Sequence, residues 1–398
     1  MKKELERKER VLIGFTLFSM FFGAGNLIFP PLVGIQAGTS AVPAMAGLLI
    51  SAVGLPILGV AAVAKCGGLD RLAGRVHPVF ASVFTLLIYV MIGPGLAIPR
   101  TASTSFEMAA APFLGAVGTV SRPLVMAVYS LLFFALAFLF ALRPDRLKDM
   151  LGKIMTPALL ALIAVIFAGC LFGDQTAAAA PTAGYERLAA VKGFVEGYQT
   201  MDTIAALNFG IVIAMNIQGM GVKRDGDVAR ETIKAGGIAG VLLAAVYSCL
   251  AYVGVAASGL GQPVTNGADV LTLVVHRLFG TAGTVIIALI FFIACLNVCT
   301  GLLSCCSEYF SQAFPRLGYR GWLGLFAAVS LVVSNAGLDA IIRVSAPALS
   351  MIYPVAIALI VLAFLPGKLK ENRLLYRIVV TVVAVWSVGS GVLGMMGG

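Results

Sequence analysis

The sequence predicts an all-α protein that crosses a membrane many times. Of its 398 residues, 60% are hydrophobic and 12% are charged, and the mean hydropathy is +1.00. Soluble chains carry roughly 25% charged residues. Uncharged apolar runs of roughly 18 residues or more recur along the chain, and each is long enough to cross the bilayer as a helix. This composition excludes a soluble domain.

Eleven transmembrane spans are predicted where apolar runs lie between polar or charged segments. The polar N-terminal tail, 1–10, runs directly into the first span, so no cleavable signal peptide is predicted. The predicted spans cover 11–37, 43–64, 78–98, 122–142, 152–172, 198–220, 232–258, 282–310, 320–336, 339–364 and 375–395.

Lys and Arg residues are distributed unevenly among the segments that join these spans. Since cytoplasmic loops carry an excess of Lys and Arg, the segments rich in them, and the N-terminus with them, are predicted to be cytoplasmic. The net charge of +10 follows from this bias, and no nucleic-acid partner is predicted. Of the 28 Lys and Arg residues, 22 lie in 1–10, 65–77, 143–153, 222–234, 311–321 and 366–377.

The longest polar connection, 173–197, is predicted to be extracellular and divides the spans into two sets of similar length. Five spans precede it (11–172), five follow it (198–364), and a cytoplasmic loop with one more helix occupies 365–398. Because five is an odd number, the second set starts from the opposite side of the membrane. This arrangement predicts a five-plus-five inverted repeat, in which discontinuous helices form a substrate site near the bilayer midplane.

The first span contains a helix break. Gly23 and Gly25 weaken a helix, and Asn26 can cap its restart. The prolines at 30–31 are tolerated in the first turn of a helix but not deep inside one. The sequence therefore predicts two half-helices joined by an unwound link at 23–25. Close helix packing, the alternative use of small residues, fits two glycines at i and i+2 poorly.

The first span of the second set is predicted to be broken as well. It carries Asp202, Thr203 and Asn208 in an otherwise apolar run, and Gly210 follows. An acidic residue inside a span usually faces a cavity or a partner. No pair of glycines marks the position of this second break.

Two broken helices together can bind both charged ends of an amino acid. The N-terminus of a half-helix offers free N–H groups and a positive dipole end, which suit a carboxylate. The free carbonyls of an unwound segment suit an ammonium group or a cation. The surrounding residues are Ala, Ile, Leu, Phe and Met, which favours a substrate with an apolar side chain.

The eighth span carries a second polar cluster. Asn297, Thr300 and Ser304 lie at i, i+3 and i+7 and share one helical face. Together with carbonyl groups near Ser19 and Phe22, their oxygens could coordinate Na⁺. Hydroxyl back-bonding or hydrogen bonds between helices explain the same residues equally well.

The run 98–107 carries Arg100, Glu107 and four hydroxyl residues just beyond the third span. It is compatible with an outer gate, a re-entrant element or a solvated loop. The sequence has no Ser-Lys dyad, no H-E-x-x-H motif and no P-loop, so neither an enzyme nor a primary pump is predicted. No cofactor and no obligate protein partner are predicted; the partners are the lipid bilayer and a small-molecule substrate.

Five motifs in the chain resemble the branched-chain amino acid:cation symporters of bacteria. The matches run in order and cover most of the sequence. The resemblance implies the leucine-transporter-like fold of the amino acid–polyamine–organocation superfamily, located in the bacterial inner membrane. It also implies uptake of leucine, isoleucine and valine driven by Na⁺ or H⁺. The motifs are FFGAGNLIFPP (21–31), VGLPILGV (53–60), IGPGLAIPRTASTSFE (92–107), GYQTMDTIAALNFG (197–210) and CSEYF (306–310).

The resemblance further implies which residues bind the substrate and the ion. The backbone of the first break would contact the substrate carboxylate, and the region 200–208 would contact its amino group and side chain. The residues implied for the substrate are Gly23, Ala24, Gly25, Asn26, Gly93, Met201, Asp202, Thr203, Ala206 and Asn208. Those implied for Na⁺ are Ser19, Phe22, Asn297, Thr300 and Ser304.

The chain departs from the family pattern in two places. Family members usually have Thr-Thr where this chain has Asn297-Val298, and many have a twelfth span after the eleven predicted here. The first difference leaves the coupling ion open between Na⁺ and H⁺. Transport of a different amino acid and a non-transporting amino acid sensor are the alternative functions, although no soluble signalling domain accompanies the short loops.

Overall fold

The computed structural model describes residues 2–116, 121–143, 149–173, 177–182, 184–261, 264, 266–366, 369 and 372–396. Regular structure among these residues is helical, apart from one β-bridge between Lys2 and Val222. Part of the predicted extracellular connection lies outside the described residues. So do four of the basic residues used to predict orientation, Arg146, Lys148, Lys368 and Lys370.

The described helices are numbered here in chain order. Several are joined by short 3-10 or π-helical turns, among them Ile50–Gly54, Met91–Gly95 and Gly197–Thr200. The helices are α1 (Arg7–Phe21), α2 (Ala24–Ala37), α3 (Ala41–Leu49), α4 (Leu55–Cys66), α5 (Leu69–Ala73), α6 (Pro78–Val90), α7 (Ala97–Ala109), α8 (Arg122–Ala141), α9 (Thr156–Phe172), α10 (Tyr185–Glu196), α11 (Asp202–Gly219), α12 (Asp225–Ser258), α13 (Gly267–Phe279), α14 (Thr281–Ala313), α15 (Gly318–Ser334), α16 (Leu338–Ala363) and α17 (Arg373–Met396).

The helices are long and apolar enough for a membrane protein with many spans. Seven helical stretches of the described residues could cross a membrane, and nine could if each of two bent helix pairs is one span. The segment Ala24–Cys66 counts as a single stretch because α2, α3 and α4 follow one another almost without interruption. Every predicted span coincides at least in part with a described helix. The all-helical class is confirmed, and the number of eleven crossings stays a prediction.

The first predicted span is broken where the glycines lie. Helix α1 ends at Phe21 and α2 begins at Ala24. The side chain of Asn26 accepts a hydrogen bond from the N–H of Gly23, at 3.0 Å, and so caps the start of α2. Because this cap starts the helix at Ala24, the two prolines lie inside α2 and not in its first turn as predicted.

The second break lies nearer the N-terminus than the predicted span suggested. The chain bends by 49° between α10 with its 3-10 turn and α11. Met201 makes the turn with a φ of 66°, in the left-handed region. Helix α11 then continues without interruption past Asn208 and Gly210. The half-helix before the break is α10, which occupies part of the stretch 173–197 predicted as a polar connection.

Two further helices differ from the sequence-based interpretation. The run 98–107 belongs to α7, and its residues from Arg100 to Phe106 are buried, so the solvated-loop alternative is wrong. Helix α13 was not predicted at all. The side chain of Asn266 caps it by accepting hydrogen bonds from the N–H groups of Ala268 and Asp269.

Glycines allow the half-helices to pack directly against neighbouring backbones. A Cβ added to Gly34 of α2 would lie 2.1 Å from the carbonyl oxygen of Ala251 in α12. A Cβ added to Gly193 of α10 would lie 1.9 Å from the carbonyl oxygen of Ala44 in α3. Neither approach leaves room for a side chain, which is the use of small residues expected between helices in a membrane. These contacts position α2, which follows the first break, and α10, which precedes the second.

Ion pairs join the N-terminal segment to the start of α12, at the end of the bundle predicted to face the cytoplasm. Arg10 of α1 binds both carboxylate oxygens of Glu231, at 2.8 and 3.2 Å. Lys234 binds the same carboxylate at 2.8 Å. The side chain of Glu231 is only 1% exposed, whereas that of Glu4, which pairs with Lys234 at 3.3 Å, is 52% exposed. The pair between Arg10 and Glu231 therefore holds α1 against α12.

We expect Glu231→Ala to lower the free energy of unfolding by about 3 kcal/mol, because it removes one partner of a buried ion pair. Glu4→Ala is the matched control: it removes an exposed partner of the same cluster and should lower it by less than about 1 kcal/mol. Thermal unfolding of the purified full chain in detergent compares the two variants. Equal Tm values for them would contradict this role of Glu231.

Candidate functional site

A cavity lies between the two helix breaks. Residues from both sides of each break line it, and α7, α14 and the π-helical turn after α6 complete it. Most of these side chains are apolar, and a few polar groups point into the same space. The lining residues are Met20, Phe21, Gly23, Ala24, Gly25, Asn26, Ile92, Ala97, Arg100, Thr101, Thr200, Met201, Asp202, Ala205, Val298 and Leu302.

Asp202 is the acidic group of this cavity. It is the first residue of α11 and is 3% exposed. The amide nitrogen of Asn26 donates to its Oδ2 at 2.5 Å, and the hydroxyl of Tyr247 donates to the same oxygen at 3.0 Å. Asn26 also donates to the hydroxyl of Tyr247. This triad joins the first break, the second break and α12 by side-chain hydrogen bonds.

Arg100 is the basic group of the cavity and comes from α7. It is 8% exposed, and its guanidinium lies 6.0 Å from the ring of Phe29. Its Nη1 donates to the carbonyl oxygen of Gln199 at 3.4 Å. Among the described residues, no ion pair joins Arg100 to a carboxylate within 4.0 Å, Asp202 included. The cavity thus contains one acid and one base that do not form a direct ion pair with each other.

Six of the ten predicted substrate-binding residues line the cavity: Gly23, Ala24, Gly25, Asn26, Met201 and Asp202. The other four lie outside its lining. Thr203 donates to the carbonyl oxygen of Ser51 at 3.3 Å. Ala206 packs against Gly59, and its Cβ lies 3.0 Å from the position that a Cβ on Gly59 would occupy. Gly93 faces Cys306, and Asn208 is buried with no hydrogen bond to its amide among the described residues.

Two residues, Tyr247, which binds Asp202, and Arg100, which lines the cavity, were not assigned to this site from the sequence. Tyr247 lies in the middle of α12 in an apolar run, where nothing nearby distinguishes it from a packing residue. Arg100 had a signal, because it is a single cation among apolar and hydroxyl residues. The sequence could not show that its run continues as a buried helix, and therefore could not place the guanidinium at the break.

The predicted cation residues lie where the end of α1 contacts the middle of α14. A Cβ on Gly301 would lie 3.1 Å from Met20. The N–H of Gly23, which a continuing helix would donate to the carbonyl of Ser19, donates to Asn26 instead. Thr300 donates to the carbonyl of Leu296 at 2.7 Å, as the back-bonding alternative predicts.

Several polar atoms at this contact have no hydrogen-bond partner among the described residues. They are Oγ of Ser19, Oγ of Ser304, and both amide atoms of Asn297, all buried. Buried polar atoms without partners are unfavourable, so a cation or a hydrogen-bond donor bound to these oxygens would stabilise them. The oxygens among these atoms suit a cation, whereas the amide nitrogen of Asn297 does not. Phe22 lies in the link between α1 and α2.

The chain matches a protein family along nearly its whole length. The family described as branched-chain amino acid transport protein matches residues 6–396. The permease BraB of Bacillus subtilis is 39% identical over 98% of this chain and 88% of its own length. BrnQ of Escherichia coli is 39% identical over 92% of this chain and 82% of its own length. The system 2 carrier protein of Pseudomonas aeruginosa is 39% identical over 88% and 79%.

Solved structures of transporters share the fold. MhsT in complex with L-phenylalanine matches with a TM-score of 0.62 and 15% identity over 98% of this chain and 100% of that one. Mhp1, a nucleobase-cation-symport-1 family transporter, matches with a TM-score of 0.60 and 11% identity over 97% and 92%. These identities are too low to transfer a ligand, whereas the sequence relatives define the family. The chain belongs to the family of branched-chain amino acid transport proteins.

Proposed function

We propose that this chain is a secondary active transporter that imports branched-chain amino acids in symport with Na⁺. The observation that carries the proposal is the cavity between the helix breaks, which combines an acid, a base and an apolar wall. An amino acid with an aliphatic side chain has the complementary set of groups. The relatives' names, branched-chain amino acid permease and carrier, support the same substrate class.

Asp202 binds the substrate ammonium in this proposal. The hydrogen bonds from Asn26 and Tyr247 both go to Oδ2. We propose that Oδ1 accepts from the substrate ammonium. A buried carboxylate needs a compensating positive charge, and among the described residues no Lys, Arg or His lies within ion-pair distance of it. The substrate ammonium supplies that charge when it enters.

The apolar wall binds the aliphatic side chain. Met20, Ile92 and Leu302 come from three different elements and enclose the same space. Burying a leucine side chain there stabilises the complex by roughly 1.5–3 kcal/mol. A charged or strongly polar side chain would lose its hydration without a partner in this wall, so it would be excluded.

Na⁺ binds between α1 and α14 in this proposal. The buried oxygens of Ser19, Asn297 and Ser304 without partners support it, as does the carbonyl of Ser19 released by the break. Hard cations prefer such oxygen ligands. Coupling to H⁺ is the second candidate, favoured by the buried carboxyl group of Asp202, a group that can carry a proton.

Transport proceeds by alternating access around this fixed site, with the two sets of five helices related as inverted repeats. The N-terminus faces the cytoplasm, as the distribution of Lys and Arg predicts. The ion pair between Arg10 and Glu231 would then close the cytoplasmic side by holding α1 on α12. It must break when the site opens inward.

Uptake of radiolabelled leucine into proteoliposomes tests the proposed function. We expect accumulation with an inward Na⁺ gradient and none without a gradient, because substrate and ion bind on adjoining surfaces of α1. Accumulation driven only by an inward H⁺ gradient would refute Na⁺ coupling and leave Asn297 and Thr300 as packing residues. Failure to move leucine, isoleucine or valine under any gradient would refute the substrate assignment.

We expect Asp202→Asn to reduce leucine uptake about 100-fold, because a buried charged partner of the substrate is lost while the side chain keeps its size. Asp225→Asn is the matched control, since it removes an exposed carboxylate at the start of α12. Initial uptake rates at equal amounts of reconstituted protein provide the measurement. Asp202→Asn with the activity of the control would show that Asp202 does not bind substrate.

A further inference from the structure

We propose that Arg100 and the N-terminus of α2 together form the subsite for the substrate α-carboxylate, and that Arg100 makes the transporter selective for ligands with a free carboxylate. This inference rests on the proposed function but goes beyond it. The helix break alone would offer the carboxylate only backbone groups. The structure adds a guanidinium from α7 at the same place.

The position of Arg100 relative to α2 carries the inference. A Cβ built on Gly25 would lie 3.4 Å from Nη2 of Arg100 and 3.2 Å from Cα of Thr200. Gly25 is the second residue of α2, so the guanidinium lies beside the first turn of that helix. The absence of a side chain at Gly25 leaves this space open to the cavity.

The first turn of α2 presents further donors at this point. The first N–H groups of a helix have no partner within the helix, and they lie at its positive dipole end. The N–H of Gly23 is occupied by the side chain of Asn26, and the next two residues of the turn, Ala24 and Gly25, line the cavity. A guanidinium beside a helix N-terminus offers donors that suit a carboxylate.

The contacts of Arg100 inside the protein do not account for its burial. Among the described residues, its guanidinium, which has five donor N–H groups, makes one long hydrogen bond, to Gln199 at 3.4 Å, and lies over Phe29. A buried guanidinium is stabilised by a carboxylate partner, often through two parallel hydrogen bonds. The substrate carboxylate is the group of the transport reaction that can provide these bonds.

The arrangement also sets the orientation of the substrate. Arg100 and Asp202 line the same cavity without forming an ion pair with each other. A zwitterion placed between them neutralises both charges at once. A ligand that lacks the carboxylate, such as leucinamide, would pair its ammonium with Asp202 but leave the charge of Arg100 without an anion. The subsite therefore rejects amines and amides that have the same side chain.

Ligand competition on the purified full chain tests the inference. Displacement of radiolabelled leucine by leucine and by leucinamide gives two affinities for the wild type and for each variant. The selectivity ratio is the affinity for leucine divided by the affinity for leucinamide. We expect Arg100→Gln to weaken leucine binding about 10- to 100-fold, as the loss of a charge-assisted hydrogen bond would. Leucinamide binding should change little, so the ratio should fall by the same factor. Arg100→Lys keeps the charge but not the planar guanidinium that forms two parallel hydrogen bonds, so it should give an intermediate ratio.

Arg122→Gln is the matched control. Arg122 is 61% exposed, pairs with Glu107 at 2.5 Å, and does not line the cavity. It should bind leucine and leucinamide as the wild type does. Where radioligand binding to Arg100→Gln is too weak to follow, the rise in Tm on adding each ligand gives the same ratio.

The outcomes separate this inference from the proposed function. A merely structural role of Arg100 would lower the Tm of both Arg100 variants and leave their selectivity ratio at the wild-type value, which would overturn the carboxylate subsite. Wild-type affinity for leucine in Arg100→Gln would overturn it as well, while leaving the proposed function intact. A wild-type chain that binds no branched-chain amino acid would instead refute the proposed function and this inference with it.

Discussion

The need to satisfy every backbone N–H and C=O group inside a membrane is the constraint on which the rest of this structure depends. Hydrocarbon offers no hydrogen bonds, so a broken helix is tolerated only where the protein or a ligand supplies them. Two helix breaks, before Ala24 and before Asp202, lie at one cavity. Asn26 satisfies one side of the first break and also binds the first residue after the second. Residues from both sides of each break line the cavity.

Charged side chains in the interior of the bundle also need partners. The interior of the bundle contains an acid at the second break and a base at the first, held apart on different helices. Each would be unfavourable alone in a dry environment, and in the proposed transporter each is compensated when a zwitterion enters. Under this proposal substrate binding and closure of the site reinforce each other, because the complete ion pairs exist only with the ligand in place. At the predicted cytoplasmic end, Arg10 and Glu231 form a complete ion pair without a ligand, which suits a contact that holds the bundle closed.

Local sequence was sufficient to find the first break and part of the site, for a physical reason. The Gly-Ala-Gly-Asn stretch in the first span contains both the residues that interrupt a helix and the residue that caps its restart. The sequence signal for the break therefore lies within a few residues. The second break has no such local signal. It depends on Met201 adopting a left-handed conformation and on the close approach of Gly197 to Ser51, which only the folded bundle shows. The prediction therefore gave the second break no definite position and interpreted α10 as part of a connection.

Residues that enter the site from distant elements were beyond local reasoning. Tyr247 reaches Asp202 from α12, and Arg100 reaches the first break from α7; their spacing in the sequence carries no trace of either contact. Composition gave the fold class reliably, because hydropathy and the distribution of Lys and Arg are averages over many residues. The geometry of the cavity depends on single side chains, and these need the tertiary structure.

A cryo-EM structure of the full chain with bound leucine tests the central claim most directly. The account predicts leucine in the cavity between the two breaks, with its ammonium about 3 Å from Asp202 and its carboxylate about 3 Å from Arg100 and the first N–H groups of α2, as hydrogen bonds require. Leucine bound elsewhere in the bundle, or bound in this cavity with its two charged ends reversed, would contradict the account.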